Sequence, residues 1–133
     1  MKVKLTSGKR RRAIARAVTY PGKGRIWLNS RPIEIHEPEL MRMKVFEPLI
    51  IAGEDIRKKM DIKVKVKGGG MVSQTEAART AIARALVTFT ESEELRQKMR
   101  AYDRTMLSGD PRRKEAKKFG RKGARAKYTK SYR

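Results

Sequence analysis

The spacing of apolar residues changes near residue 107, and this change limits the folded core to the part of the chain before it. Up to that point apolar side chains recur at strand or helix intervals. Residues 108–133 contain only three aromatics, Phe119, Tyr128 and Tyr132. Such a segment cannot bury enough apolar surface to offset the entropy lost on ordering. We therefore predict a globular domain at residues 1–107 and an extended basic tail at residues 108–133.

The basic residues are concentrated at both ends of the chain. Residues 1–16 contain seven Lys or Arg and no acid, and residues 110–133 contain eleven Lys or Arg and two acids. The whole chain has 35 Lys and Arg, 14 Asp and Glu, and a formal net charge of +21. A compact domain with this excess repels itself, whereas contact with a polyphosphate releases condensed counterions. We expect a nucleic-acid partner, along which the tail becomes ordered. Without this partner the tail would have at most a helical turn at residues 113–118.

The sequence lacks the residues that metal-binding, catalytic and membrane-bound proteins require. The chain has no Cys, and its single histidine, His36, has no second His or Cys with which to bind a metal ion. The carboxylates are mixed with Lys and Arg and lack the spacing of a catalytic pair. The sequence has no signal peptide, no apolar run near the ~20 residues of a membrane span, and no apolar face on its basic stretches. We expect a cytoplasmic protein that is not an enzyme, binds no membrane and needs no cofactor or metal.

The residues after the basic lead-in predict two strands. Alternation at residues 13–18 favours the first strand, and the Pro and Gly of residues 21–24 favour a turn. Residues 25–29 favour a second strand, so that the two would pair as a hairpin. We place Trp27, on the second strand, in the core.

Residues 33–59 have helical spacing with interruptions. Pro38 and Pro48 are each expected in a first helical turn, where the missing N–H costs nothing, and Gly53 ends the run. A further helix is expected from Ser92 to Tyr102, with Ser92 and the acids that follow it in the first turn.

A strictly alternating strand precedes the clearest helix. In residues 61–67 the aliphatic side chains would face the core, and the three lysines would face solvent or RNA. Gly68–Gly70 follows, and Ser73 with Glu76 then fits a capping box. The glycines either permit φ > 0 and tight packing, or contact an RNA backbone, or bind a nucleotide. The Lys-Ser/Thr signature of a nucleotide-binding loop is missing.

Two other features have both a structural and a functional interpretation. The basic run Gly8–Arg12 is either a solvated charge cluster or a phosphate contact, and the lack of neighbouring acids favours the phosphate contact. Tyr128 and Tyr132 either stack on bases or riboses or belong to a loose chain end.

Four stretches in order carry a resemblance to a known family. Ser7–Ala17 (SGKRRRAIARA) and Gly22–Asn29 (GKGRIWLN) resemble opening motifs of the universal small-subunit ribosomal protein number nine. Val66–Ala77 (VKGGGMVSQTEA), followed by Arg84–Leu86 (RAL), resembles its central motif, and Asp110–Gly120 (DPRRKEAKKFG) resembles its tail signature. The ending KSYR is similar to the archaeal and eukaryotic branch. The match covers nearly the whole chain.

The resemblance implies an α+β fold, with helices packed on one face of a mixed four-stranded sheet. It also implies a left-handed crossover, as in domain two of ribosomal protein five, and an extended basic C-terminal tail. The protein would be a structural constituent of the small ribosomal subunit, bound as a single copy to the 3′ major domain of its RNA in the head, beside neighbouring head proteins. The tail would run between RNA helices to the peptidyl-site tRNA, where Lys130, Tyr132 and Arg133 would contact the tRNA.

The residues expected to bind ribosomal RNA lie in the lead-in, the glycine loop and the tail. They are Lys9, Arg10, Arg11, Arg12, Arg16, Gly68, Gly69, Gly70, Arg112, Arg113, Lys114, Lys117, Lys118, Arg121, Lys122 and Arg125. Two alternatives remain for the whole protein: a general nucleic-acid compaction protein, which the charge alone fits, and a phosphate-handling enzyme that uses the glycine loop.

Overall fold

Alternating apolar residues build a five-stranded mixed sheet in the computed structural model, which describes residues 3–132. The strands are β1 (Lys4–Arg10), β2 (Ala13–Pro21), β3 (Ile26–Leu28), β4 (Arg31–Pro32) and β5 (Met60–Lys67), in the spatial order β1-β2-β5-β3-β4. β3 and β5 run parallel, and the other neighbouring strands run antiparallel. β5 therefore lies at the centre of the sheet.

The helices cover one face of this sheet. They are a short 3₁₀ helix (Ile33–Ile35), α1 (Glu39–Ala52), α2 (Glu54–Arg57), α3 (Met71–Thr90), α4 (Glu93–Tyr102) and α5 (Arg104–Ser108). α3 packs on β1, β2 and β5, while α1, α4 and α5 pack on α3. The expected α+β class and mixed sheet are confirmed, but the sheet has five strands because β4 adds two residues at its edge. No helix within residues 3–132 has both the length and the apolar composition needed to cross a bilayer.

Small side chains let α3 lie close to the sheet. Its buried residues include five alanines, and three buried residues of the facing β2 are alanines as well. On β1, a Cβ at Gly8 would collide with the backbone carbonyl of Ala77. Larger aliphatic side chains from β5 and α3, among them Ile62, Ile82 and Leu86, fill the remaining space and are fully buried. The core is therefore centred between α3 and three strands, and α1, α4 and α5 add buried side chains such as Val45, Met99 and Met106.

The predicted hairpin between residues 13–18 and 25–29 is wrong, although both segments are strands. β2 pairs with β1 on one side and β5 on the other, whereas β3 pairs with β5 and β4. The basic lead-in, which gave no strand signal, supplies the antiparallel partner of β2. A long-range pairing with β5 thus replaces the local pairing that the Pro-Gly turn suggested.

Trp27 does not belong to the core. Ile26 and Leu28 are buried, and because side chains alternate along a strand, Trp27 points to the opposite face of the sheet. Its ring lies 5.2 Å from the Arg25 guanidinium carbon and 5.5 Å from Lys63 Nζ. The indole is half-buried among cations, where the Arg and Lys interact with the face of the ring.

The structure corrects both proline positions in the interrupted helical segment. Pro38 is the N-cap of α1, and Pro48 lies inside that helix instead of starting a new one. Val45 and Leu49 on either side of it are buried, and α1 packs on α3 here. We attribute the uninterrupted helix to this packing, which offsets the hydrogen bond that Pro48 cannot donate. Gly53 ends α1 as expected.

The two predicted helix caps had opposite outcomes. α3 begins at Met71 with Gly70 as its N-cap, so Ser73 and Glu76 lie inside the helix and the capping box is wrong. The cap at Ser92 is confirmed, because its side chain accepts a hydrogen bond from the N–H of Leu95 at 3.3 Å. The short helix α5, capped by Asp103, was not predicted.

Within the described residues, α5 is the last helix, and only a single bridge between Arg10 and Asp110 follows it. Residues 111–118 have no regular structure, so the helical turn that the sequence allowed at residues 113–118 does not form. Further along, the N–H of Thr129 donates to the carbonyl of Gly120 at 2.8 Å and closes a loop. The exposed rings of Phe119 and Tyr128 meet edge to face, with 6.4 Å between their centroids.

Candidate nucleic-acid interface

The fold brings the lead-in, the glycine loop and the tail together at one depression. Arg11 and Arg12 form the two-residue connection between β1 and β2, and both are exposed. Arg113 and Lys114 approach from the tail, and Arg113 Nη2 donates to the carbonyl of Arg11 at 3.2 Å. The lining, which we call the basic depression, is Arg11, Arg12, Gly69, Gly70, Ser73, Arg113 and Lys114. It contains four cations and no carboxylate.

The glycine loop closes this depression by packing against the β1–β2 connection. Gly68 and Gly69 have φ values of +79° and +66°. A Cβ at Gly68 would come within 2.6 Å of the Arg12 carbonyl oxygen, and a Cβ at Gly69 within 3.2 Å of Ala13. Both positions therefore require glycine for conformation and for space, which supports the tight-packing interpretation. Contact of the loop with an RNA backbone stays a prediction.

The first residues of the tail, Ser108–Arg112, form the tail root, which is fixed by charges of the protein itself. Asp110 lies 3.2 Å from Arg10 Nη1 and 2.7 Å from Arg112 Nη2. The hydrogen bonds from the Arg112 side chain and backbone N–H, with the nearby Arg10 charge, hold the pKa of Asp110 well below its ordinary value. The Arg10 side chain is only 19% exposed. Of the predicted RNA-binding cations, Arg10 is therefore the one most engaged within the fold.

Arg84 also holds the tail root, a role that its place in the Arg84–Leu86 motif did not predict. Its guanidinium donates to the carbonyls of Leu107 at 2.7 Å, Ser7 at 2.7 Å and Ser108 at 3.2 Å. One side chain of α3 thereby joins β1 to the end of α5. The carbonyls of Leu107 and Ser108 are in the last turn of α5, and that of Ser7 is on the edge strand β1. Only the tertiary structure shows that Arg84 lies close enough to bind all three.

A second set of cations lies on the face of the sheet opposite the helices. This open sheet face carries the side chains of Lys9, Ile14, Arg16, Val18, Tyr20, Trp27, Lys63, Lys65 and Lys67. Lys9 and Arg16 were predicted to bind RNA, and the three lysines of β5 point away from the core as expected. Within residues 3–132, none of these five cations forms an ion pair.

The remaining tail cations are exposed. Arg125 and Lys118 share the carboxylate of Glu115, at 2.8 Å and 3.8 Å. Lys130 and Tyr132, predicted to contact tRNA, are exposed as well, whereas Arg133 lies outside the described residues. The other predicted RNA-binding residues of the tail that are exposed to solvent are Lys117, Arg121 and Lys122.

Arg79 is a cation that the sequence did not single out, and it is buried. Its side chain is 3% exposed and lies 2.6 Å from Glu47 and 2.9 Å from Asp103, with Glu76 at 3.8 Å. Burial opposes ionisation of Asp103, but hydrogen bonds from Thr105 and Arg79 outweigh it and lower the pKa. This cluster joins α1, α3 and the α4–α5 junction, so its carboxylates are structural.

Asp61 is a second buried carboxylate with a structural role. It accepts hydrogen bonds from the backbone N–H groups of Lys23 and Arg25, both at 2.9 Å, and from the Arg25 guanidinium at 3.0 Å. Burial would raise the pKa of Asp61, but these bonds outweigh it and hold the pKa below its ordinary value. The carboxylate anchors the turn after β2 to β5. His36 is half-buried, and no group of three His or carboxylate side chains in residues 3–132 is placed to hold a metal ion.

Comparisons with known proteins identify relatives along the whole chain. The sequence model of the family described as Ribosomal protein S9/S16 matches residues 8–133. The chain is 53% identical over 133 residues to the small ribosomal subunit protein uS9 of Desulfurococcus amylolyticus, covering 100% of this chain and 94% of the relative. It is 48% identical over 147 residues to the protein of the same name from Aeropyrum pernix, covering 99% of this chain and 97% of the relative.

Proposed function

The chain belongs to the ribosomal protein S9/S16 family, and we propose that its basic depression and tail hold folded ribosomal RNA in place. The resemblance found in the sequence is thereby confirmed. Membership makes the chain a structural, non-enzymatic component of the small subunit of the cytoplasmic ribosome, with ribosomal RNA and ribosomal proteins as partners. The nucleotide-binding interpretation of the glycine loop has no support from this family.

The observation that carries the proposal is the composition of the basic depression. Arg11, Arg12, Arg113 and Lys114 converge there from two distant parts of the chain, and no carboxylate lines the site. Like charges held this close repel one another unless an anion lies between them. Phosphates of an RNA backbone supply such anions, and their neutralisation releases counterions. The exposed cations of the tail would extend the same contact between RNA helices.

For the end of the tail we propose contact with the peptidyl-site tRNA through Lys130, Tyr132 and Arg133. The support is the family resemblance of the ending KSYR and the exposure of Lys130 and Tyr132. A cation on a tRNA phosphate carries no sequence information, which suits a contact that must accept every tRNA. We also keep as proposals the position in the head, on the 3′ major domain, and the left-handed sense of the crossover from β3 to β5.

The experiment that tests RNA holding replaces the four cations of the basic depression together. The variant Arg11→Gln/Arg12→Gln/Arg113→Gln/Lys114→Gln should sediment near the top of a sucrose gradient at raised salt, while the wild type sediments with the small subunit. The matched control Lys58→Gln/Lys59→Gln/Lys98→Gln/Arg100→Gln removes the same charge from other exposed positions. Stoichiometric sedimentation of the first variant with the small subunit would contradict the proposal.

Two truncations separate the role of the tail tip from that of the tail as a whole. Deleting residues 129–133 should leave assembly intact and weaken the binding of tRNA in the peptidyl site. Deleting residues 110–133 should impair assembly as well. Normal subunit profiles with the longer deletion would argue against a role of the tail inside the RNA. Comparable affinity of the wild type for duplex DNA and ribosomal RNA at moderate salt would favour the compaction protein instead.

A further inference from the structure

The open sheet face places one pair of like charges directly opposite each other and further cations around an uncharged residue. In the register of β2 and β5, Arg16 lies opposite Lys65 and Ile14 opposite Lys67, while Lys9 of β1 lies opposite Ile14. Like charges at directly opposite positions of a sheet destabilise it. On β5 the only carboxylate at a matching position is Asp61, which is engaged by Lys23 and Arg25. The protein alone therefore leaves the repulsion on this face uncompensated.

The geometry of these cations matches an extended anionic chain. Lys63, Lys65 and Lys67 are two residues apart, which separates successive side chains by about 6.6 Å along β5. Arg16 lies on the neighbouring strand, about 4.8 Å away. The cations thus form a row with a second charge beside it, a spacing close to that of successive phosphates in a nucleic-acid strand.

Aromatic rings border one end of this row. Lys63 Nζ lies 5.6 Å from the centre of the Tyr20 ring and 5.5 Å from the centre of the Trp27 ring. Both rings are half-buried, so part of each remains accessible. Aromatic side chains beside a basic track are the usual arrangement for binding single-stranded nucleic acid, since bases stack on the rings while phosphates meet the cations.

The composition of the face favours RNA over a neighbouring protein. Lysine is depleted in the centre of protein–protein interfaces, where a buried ammonium group costs desolvation. Here Lys65 lies at the centre of the face, with Lys63 and Lys67 on either side. An RNA backbone can bind such ammonium groups while they remain partly hydrated.

We propose that the open sheet face is a second RNA site, separate from the basic depression. Lys63, Lys65, Lys67 and Arg16 bind phosphates of an unpaired segment of ribosomal RNA, and Trp27 and Tyr20 pack against a base or ribose at its end. The proposal rests on the RNA-holding function proposed above. It adds a surface on the opposite side of the sheet from the helices, so that RNA would contact the domain on two sides.

The test compares two triple variants of equal charge. Lys63→Gln/Lys65→Gln/Lys67→Gln removes the row, and Lys58→Gln/Lys59→Gln/Lys98→Gln removes three exposed lysines elsewhere. Binding to transcribed small-subunit ribosomal RNA is measured by filter retention over a range of KCl concentrations. Each phosphate contact contributes about 0.7 to 0.9 to the slope of log K against log salt. The first variant should therefore reduce the magnitude of the slope by about 2 to 3. The second should change it by less than about 1.

Trp27 provides a second readout, because it is the only tryptophan of the chain. Saturating the wild type with the same RNA should quench or shift its fluorescence, and the row variant should lose most of that change. Urea unfolding followed by circular dichroism checks that both variants fold. Arg16→Gln alone should reduce the magnitude of the slope by about 0.7 to 0.9.

The outcomes distinguish this proposal from the one on which it rests. If the wild type fails to bind the RNA more tightly than duplex DNA, RNA holding itself fails. If the wild type binds and the row variant keeps both its slope and its fluorescence change, only the open sheet face is rejected. If the row variant keeps its RNA slope but no longer enters small subunits, the face binds a protein, which also overturns the proposal.

Discussion

The tail root and the open sheet face are both rich in basic residues, yet they use them in opposite ways. At the tail root and in the nearby helix cluster, Arg10, Arg84 and Arg79 are engaged by carboxylates or carbonyls of the protein. On the open sheet face, Lys63, Lys65 and Lys67 form no ion pair within residues 3–132. The cations with the shortest contacts are arginines, with Lys44 adding a longer pair to Glu47 at 3.7 Å, whereas the free row is all lysine. A planar guanidinium can bind several acceptors in fixed directions, whereas an ammonium group is a hydrated point charge.

The difference teaches that net charge alone does not locate an RNA surface. Some cations of this chain, whose net charge is +21, pair with carboxylates that join helices or hold the tail root. Removing an engaged arginine should reduce stability first, whereas removing a free lysine should reduce RNA binding and leave stability almost unchanged. The following substitutions test that separation.

The largest effect is expected for Arg79→Met. The change leaves Glu47 and Asp103 partly buried without their cation, and removing one partner of a buried pair typically costs about 3 to 5 kcal/mol. Urea unfolding measures the loss, with Arg96→Met as the control, since Arg96 forms only an exposed pair with Glu93. The control should lose at most about 1 kcal/mol. A loss below about 1 kcal/mol for Arg79→Met would show that the cluster is not structural.

Arg84→Lys should have the next largest effect. Lysine keeps the charge but cannot reach three carbonyls from one planar group, so we expect a loss of about 2 kcal/mol in unfolding free energy. The tail root should also loosen, which faster amide exchange at Gly109 would report. Arg100→Lys, at an exposed position of α4, is the matched control. Unchanged exchange at Gly109 would mean that the tail root is held by Arg10 and Asp110 alone.

Asp61→Asn tests how the protein engages Arg25, a cation at the border of the open sheet face. Arg25 lies beside Trp27 but is engaged by Asp61. The substitution weakens the four hydrogen bonds that Asp61 accepts, which should cost about 1 to 2 kcal/mol. The folded-state pKa of Asp61 is lowered, so its contribution is complete above the unfolded pKa and is lost as pH falls through the folded pKa. Urea midpoints at about pH 6 and about pH 3 should therefore differ less in the variant than in the wild type. An equal difference in both would contradict this role.

The smallest effect on stability is expected on the open sheet face. Lys63→Gln/Lys65→Gln/Lys67→Gln should change the unfolding free energy by less than about 0.5 kcal/mol, or raise it slightly because Arg16 no longer faces a like charge at residue 65. The same urea experiment measures it against the wild type. A loss of about 2 kcal/mol or more would mean that these lysines are structural after all, and the contrast with the tail root would disappear.

Much of the fold could be predicted because local patterns agree with it. The alternation of residues 61–67 predicted β5 with the correct buried face, and Ser92 predicted the cap of α4. Patterns failed where distant residues decided the outcome. β1 has no strand signal of its own. It forms a strand because the edge of β2 that does not face β5 offers backbone hydrogen-bond partners. Pro48 stays inside α1, where its neighbours are buried against α3.

The candidate site could be predicted in part. The sequence singled out Arg11, Arg12 and Arg113 as separate basic positions, and their convergence in one depression follows only from the pairing of β1 with β2 and the path of the tail. The sequence did not predict the structural roles of Arg84 and Arg79, because an arginine on a helix looks the same whether it faces solvent or a buried carboxylate. Residue-level contacts with RNA and tRNA stay predictions.

The sequence by itself determined the class of partner, the family, and the central strand and helix, since these depend on charge, periodicity and motifs that are local along the chain. The tertiary structure decided which cations the protein keeps for itself and which it leaves free. Burial and partner distance set the energy of a charge, and both are properties of residues far apart in sequence. That is why Arg79, Arg84 and Lys65 are equally basic in the sequence and have different roles in the fold.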